Sequence, residues 1–461
     1  MNLNNFTTEP ISKLFFRYLV PSICGTMVTS IYVLADTIII GKGIGTDAMA
    51  ALNIALPVYN LFFGTGLLFG VGGSVMMSIC RGHGEHSKGN AYFSLSFLLN
   101  VLACIIYMII CNTFTKEIAL FLGATDVTLP YVMDYLPYIT WSLPVFAFSS
   151  FLQTFIRNDG APKLAMTAVV SGGIFNVIFD YILVYPCQMG MAGAAIATVC
   201  GSILTVLILL IHFFGKHNHL HFCFSEIRSS FGSDIFKSGF ASFLIDLSSG
   251  IVIFFFNQQL LRYQGDLGVS VYGIISNTAI VVTCLSNGIC QAAQPIISTN
   301  FGAGFQERID HVRKLGLRTA LFICAIPTLL GLTVPNLFTY IFLNPDSQVL
   351  ALAPAAVRLY FIGFLITGVN MFLIGYFQST IRPIYALTLC LMRGCVLSII
   401  FVKILPIFLG LNGIWISVPL AELFTLLTGI LLLKKSMAKK TTKYLLLFEA
   451  DTTQNTNSLR R

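Results

Sequence analysis

The sequence predicts an all-α integral membrane protein: twelve transmembrane helices in two pseudo-symmetric six-helix lobes. Three observations carry that reading. Of 461 residues, 56% are apolar and only 10% charged, against about 45–50% and 25% in soluble domains. The chain divides into apolar runs of the length that crosses a bilayer as a helix, about 20 residues. The second half also repeats the punctuation of the first. With a mean hydropathy of +0.83, a soluble enzyme, a nucleic-acid binder and a secreted disulfide scaffold are all excluded.

Glycine, proline and charge clusters bound the runs in turn. Span one covers 15–40, between the polar N-terminal segment 1–14 and Lys42. Spans two and three cover 51–79 and 91–111, separated by a charged Gly-rich loop at Arg81–Lys88. Span four, 128–155, is read as one run ending at Arg157, and span five, 164–185, follows Pro162 and ends before Pro186. Span six, 191–214, opens on Gly190 and ends at a polar linker, 215–238. The second set runs 239–261, 269–298, 316–342, 352–377, 384–405 and 413–433, and a basic, polar tail occupies 434–461. The N-terminal lobe is therefore 15–214 and the C-terminal lobe 239–433.

Lys and Arg set the orientation, because cytoplasmic loops retain them. With the N-terminus inside, 21 of the 27 fall in cytoplasmic segments and three outside, at Lys42, Lys116 and Arg262. Both termini are thus expected in the cytoplasm of a multi-pass plasma-membrane protein. The net charge of +8 lies at membrane borders rather than on one face, so no nucleic-acid partner is expected. Most of the twelve cysteines lie inside apolar runs, where cysteine acts as a small hydrophobe. The polar start and the long first run are not those of a cleavable signal peptide.

A shift of 220 residues aligns Gly82-His83-Gly84 with Gly302-Ala303-Gly304, Gly190-Met191-Ala192-Gly193 with Gly410-Leu411-Asn412-Gly413, and Pro186 with Pro406. At 225, Gln153-Thr154-Phe155-Ile156-Arg157 meets Gln378-Ser379-Thr380-Ile381-Arg382. Six spans per repeat give both halves the same polarity, and transporters place their central site between such parallel repeats.

Five acids fall within spans: Asp36, Asp134, Asp180, Asp246 and Glu422. Each costs about 2.5–3.5 kcal/mol or more on insertion scales, so a use is expected. Asp36 and Asp180 reach similar depth near the outer ends of spans one and five, with Tyr32 and Asn176 one turn below them. Facing carboxylates there could share a proton and titrate as a pair, or clasp a hard cation with neighbouring oxygens. The shift sets neither against an acid in the second half, as ion coupling confined to one repeat would require. Asp246 and Glu422 are candidates for the substrate cavity, together with Arg393, one of three basic residues within spans. Asp134 is close enough to the outer border to be structural.

The span order, the segment QTFIRNDGAPK at 153–163 and the segment QPIISTNFGAG at 294–304 resemble the MATE family of multidrug and toxic-compound exporters. The resemblance covers roughly 10–435. It implies a coupling site on Asp36, Asn176, Asp180 and Thr198, with Tyr32 as an aromatic neighbour and Pro21 as a point where span one bends. It also implies an antiporter exchanging H⁺ or Na⁺ for organic, often cationic amphipathic compounds. No cofactor is expected, and no metal beyond Na⁺ at the coupling site.

The remaining signals are weaker. His217, His219 and His221 form an alternating tract, read as solvated loop rather than metal site. No phosphate-binding loop follows the Gly-rich turns, so no ATP-binding partner is expected and an ion gradient must drive any pumping. The expected partners are small organic substrates and membrane lipids, with the protein a monomer. Two alternatives keep the membrane architecture: a flippase for lipid-linked precursors, holding phosphates on cavity cations, and a membrane-embedded enzyme.

Overall fold

A computed structural model describes residues 5–216, 218–342 and 347–438, and no strand occurs among them. In chain order the helices are α1 (Asn5–Thr8), α2 (Ile11–Gly43), α3 (Thr46–Gly82), α4 (His86–Thr113), α5 (Thr115–Phe121), α6 (Leu129–Trp141), α7 (Leu143–Asn158), α8 (Pro162–Val184) and α9 (Gly190–Leu210). The second half adds α10 (Ser229–Gln264), α11 (Asp266–Gly302), α12 (Gln306–Thr333), α13 (Pro335–Phe342), α14 (Ser347–Ser379), α15 (Pro383–Leu391), α16 (Leu397–Leu409) and α17 (Leu411–Ala438). Among the described residues, ten helices are long and apolar enough to cross a membrane, or eleven with the bent pair α6–α7 taken as one span. Exposed side chains such as Phe16, Ile109, Phe322 and Phe408 suit lipid contact, where apolar surface costs nothing.

Several helices outrun the apolar runs that predict them. α2 has 33 residues and α3 has 37, about 50 Å or more at 1.5 Å per residue. They project beyond a hydrocarbon layer of about 30 Å or tilt within it. α10 begins at Ser229, so the last ten residues of the polar linker form its first turns.

Three breaks were not visible as changes in hydropathy. The fourth run is two helices meeting at Ser142 with a 54° bend. Pro144 causes it, because it lacks the N–H that would reach the Thr140 carbonyl and its ring crowds that oxygen. The ninth run ends at Thr333, and Pro335 starts the separate α13, since a residue before proline disfavours the helical region. Between α15 and α16, Met392–Val396 forms a π-helical turn. By contrast, α2 runs unbroken through Pro21.

The packing follows the duplication. α8 lies against α9 as α16 lies against α17, and α7 lies against α3 as α14 lies against α11. One core is built from residues between Ile40 and Ala195 and another from residues between Phe256 and Trp415. Glycines aligned by the 220 shift share a left-handed backbone: φ is 89° at Gly84 and 76° at Gly304, and 57° at Gly190 and 56° at Gly410. Only glycine enters that region without steric cost.

The halves meet closely at the end where α1 and the last turn of α17 lie, with α3 crossing α10 and α11. A Cβ on Gly82 would collide with the Thr299 carbonyl and one on Gly302 with that of Ile79; Gly72 and Gly239 are likewise pressed on the carbonyls of Ile235 and Leu68. Backbones this close exclude any side chain between them.

Candidate functional site

Asp36 and Asp180, 144 positions apart in sequence, come together because α2 packs along α8. Gly173 permits the approach, as a Cβ there would lie 3.0 Å from Val28 Cγ1 and 3.1 Å from Tyr32 Cδ1. The two carboxyl groups lie within hydrogen-bonding reach of each other. Asp180 is fully buried, and Asn176 and Thr198 are nearly so. The Asn176 amide donates to Asp180 Oδ2 at 3.3 Å and to Thr198 Oγ1 at 3.4 Å, while the Thr198 hydroxyl donates to the Ala194 carbonyl at 3.0 Å. The four residues expected at a coupling site therefore form one cluster.

The cluster is rich in acceptors and short of donors. Asp36 Oδ1, Asp180 Oδ1 and Asn176 Oδ1 are buried oxygens with no hydrogen-bond partner. Leaving one such group unpaired costs about 1–3 kcal/mol, and more when it is charged. A proton between the carboxyl groups or a small cation among the oxygens removes that cost. Beside the cluster lies a cavity of about 30 Å³ lined by Asn176, Thr198, Tyr32 and Tyr59, room for about one water or a bare ion.

Three aromatic hydroxyls complete the surroundings. Tyr32 and Tyr59 share a hydrogen bond of 3.2 Å. Tyr135 on α6 is 6% exposed and lies beside Thr198. Sequence reading named Tyr32 but missed Tyr59 and Tyr135, whose helices carry no local mark of the contact.

The second-half candidates resolve differently. Asp246 lies on α10, with its side chain outside the described residues. Glu422 and Arg393, expected separately, form an ion pair: Arg393 Nη2 and Nε donate to Glu422 Oε1 at 2.7 and 3.1 Å. Thr367 donates to the same oxygen at 3.0 Å and Asn370 to Oε2 at 2.6 Å. The π-helical turn carries Arg393, and the Ser398 hydroxyl donates to the Arg393 carbonyl. The pair lines a cavity of about 310 Å³ with Tyr272, Tyr360 and Phe364.

A third polar cluster escaped sequence reading. Arg81 Nη1 and His212 Nε2 hold Asp159 at 2.6 and 2.7 Å, and the His219 backbone N–H donates to it at 3.0 Å. Burial alone would raise the Asp159 pKa, but the His212 hydrogen bond, the Arg81 charge and the His219 amide outweigh it and hold the carboxyl below its usual range. Of the histidine tract, His219 joins this cluster, His221 is exposed and His217 lies outside the described residues. Among the described residues no group of three or more His, Cys, Asp or Glu could hold a metal.

The family model MatE matches residues 21–182 and 238–404, most of the chain and most of each half. The chain belongs to the MatE family. Among its relatives, the multidrug export protein MepA of Staphylococcus saprophyticus is 25% identical over 429 residues, covering 93% of this chain and 94% of that protein. MepA of Staphylococcus aureus strain N315 is also 25% identical with the same coverage. The solved MATE multidrug transporter DinF-BH is 27% identical, with a TM-score of 0.85 over 93% of this chain and 96% of that one. An outward-facing multidrug resistance MATE transporter superposes with a TM-score of 0.88 over 96% of this chain and 99% of that one at 22% identity, a likeness of fold. As a MatE protein the chain is a secondary transporter, not an enzyme.

Proposed function

We propose that this MatE protein exports organic, amphipathic, often cationic compounds by alternating access, in exchange for H⁺ or Na⁺ bound at Asp36, Asn176, Asp180 and Thr198. The observation that carries the ion site is the set of three unpartnered buried oxygens around two facing carboxyl groups. The names of the relatives, multidrug export proteins and multidrug transporters, support the cargo.

The architecture belonging to this reading has twelve spans in two lobes, 15–214 and 239–433, joined by the linker 215–238. α10 supplies the remaining span, since 36 residues reach about 54 Å. The segments 1–14 and 434–461 flank the lobes on the cytoplasmic side of the plasma membrane, an orientation supported by the Lys and Arg distribution. The glycine contacts at the terminal end then close the cytoplasmic side, and the cavities belong to an outward-facing state. Ion capture at Asp36 and Asp180 would move α2, at Pro21 where one backbone hydrogen bond is missing, and so reshape the cavity that releases substrate. The transporter acts as a monomer in contact with lipid, without an ATP-binding partner.

The flippase alternative loses support at Arg393. A cation meant for phosphate is here neutralised by Glu422, with Thr367 and Asn370 holding the carboxylate in place.

Efflux of a fluorescent lipophilic cation from proteoliposomes tests the reading, with a pH gradient and a Na⁺ gradient imposed separately. Wild type is expected to respond to one of them, and Asp180→Asn to neither. Equal pumping by the variant would remove the carboxylates from coupling; no movement in wild type under either gradient would remove the export reading.

A further inference from the structure

Arg157, one residue before the end of α7, is only 6% exposed, yet among the described residues its side chain has no ion pair and no hydrogen bond. Its electrostatic neighbours are the thiol of Cys290 and the hydroxyl of Tyr18, groups that are ordinarily neutral near pH 7. The α7 C-terminus offers partial negative charge from its carbonyls, but no carboxylate. A buried guanidinium without a partner is among the costliest arrangements in a protein, and the first half's other buried arginine, Arg81, is paired with Asp159.

Arg157 lines a cavity of about 170 Å³ between the halves. Ser22, next to Pro21, lines it too, and the Ser22 hydroxyl is buried without a partner. From the other half, α11 contributes the amides of Asn287 and Gln291, neither of which has a hydrogen bond among the described residues. One unpaired cation, an orphaned hydroxyl and two free amides thus converge on one space. That space adjoins two other cavities. It shares Thr29, Phe63 and Gln153 with the cavity beside Asp180, and Cys284 and Asn287 with the cavity beside Glu422.

A guanidinium presents a planar fork of donors that matches a carboxylate bidentately, with neighbouring hydroxyl and amide groups able to donate to the same oxygens. We infer that Arg157, with Ser22, Asn287 and Gln291, forms an anion subsite that holds the carboxylate of an amphiphilic zwitterionic substrate. The inference rests on the export reading and assigns the residues that would hold an anionic group on its cargo. A zwitterion spanning the path would place its carboxylate on Arg157 and its cationic, apolar body among the aromatic side chains above. The bound carboxylate would connect α2 at Ser22, α7 at Arg157 and α11 of the opposite half.

A matched pair of xanthene dyes tests this: the cationic ethyl ester and the zwitterionic free acid of one chromophore, in proteoliposomes. Wild type is expected to export both. Arg157→Gln is expected to lower export of the free acid by about tenfold or more, the worth of a charge-assisted hydrogen bond, and to leave the ester within about twofold. Arg157→Lys, which keeps the charge and loses the fork, should fall between. Ester export serves as the control for folding and for the export reading itself, so its absence from wild type would fail that reading and not this one alone. Should Arg157→Gln not survive purification, binding to detergent-purified wild type decides by fluorescence anisotropy: the free acid should bind more tightly than the ester, and free acetate at millimolar concentration should compete only with the acid. Equal loss of both dyes from a folded variant, unchanged export of the acid, or equal affinity of wild type for the two would overturn the proposal.

Discussion

Asp36 on α2 and Asp180 on α8 face one another within hydrogen-bonding reach, and each keeps one buried oxygen without a donor. Two acceptors in contact are stable only with something positive between them. That is the arrangement the proposed exchange site needs, one where a proton or a small cation is held and then given up.

Replacing either acid by asparagine supplies a donor of its own and removes the charge. Asp36→Asn and Asp180→Asn are each expected to reduce gradient-driven dye export by about tenfold or more, while dye still equilibrates down its own gradient. Transport assays with and without the driving gradient separate the two effects.

Glu422 neutralises Arg393 within the second half, at 2.7 Å. Glu422→Ala leaves a largely enclosed guanidinium at the cavity wall unpaired and should cost about 1–3 kcal/mol of stability. The double change Glu422→Leu with Arg393→Met removes both charges and should recover most of that loss. Melting of the three variants in one detergent checks it.

The Asp159 cluster gives a pH dependence whose sign is fixed by its depressed pKa. Its stabilisation is fully present above the unfolded carboxylate value, about 3.9, and is lost as pH falls through the lower folded value. Wild type should therefore lose stability below about pH 4 more steeply than Asp159→Asn, which lacks the titration and starts lower because Arg81 is left unpaired. Thermal melts from pH 3 to 7 measure both curves.

Ile381 occupies a turn with φ at 51°, a conformation costly for a β-branched residue. The matching turn of the first half, between α7 and α8, has Gly160 there with φ at 92°, so the helix ends correspond at a shift of 221 and not at the 225 that aligns the sequence motifs. Ile381 packs against two apolar clusters, one with Phe231 and Ile235 and the other with Val75 and Ile79, at the closed end. Ile381→Gly should relieve the backbone yet lose about 2 kcal/mol or more of burial, loosening that closure. Labelling of Cys80, now fully buried, by a membrane-permeant thiol reagent should speed up.

Much of this was legible in one dimension. Apolar runs bounded by glycine and proline marked the membrane helices, because bilayer thickness imposes their length directly. Asp36, Asn176 and Asp180 stood out because an acid within an apolar run is costly enough to need a reason. The bend at Ser142 and the π-helical turn at Arg393 left no trace in hydropathy, since neither changes which residues are apolar. Tyr135, the Arg393–Glu422 pair and the Arg81–Asp159 pair join positions far apart in sequence. Arg157 was hidden by its place in a basic loop motif, where it counted as one more cytoplasmic charge; only its burial without a partner sets it apart.

The exchange site is tested most directly by counting ions displaced when substrate binds. Purified protein in weakly buffered detergent solution, with and without Na⁺, is mixed with a cationic dye while H⁺ and Na⁺ are monitored. Release of one ion species on dye binding by wild type, and its absence in the double variant Asp36→Asn with Asp180→Asn, is the predicted result. Dye binding that displaces neither ion, or equal release from the double variant, would contradict the account.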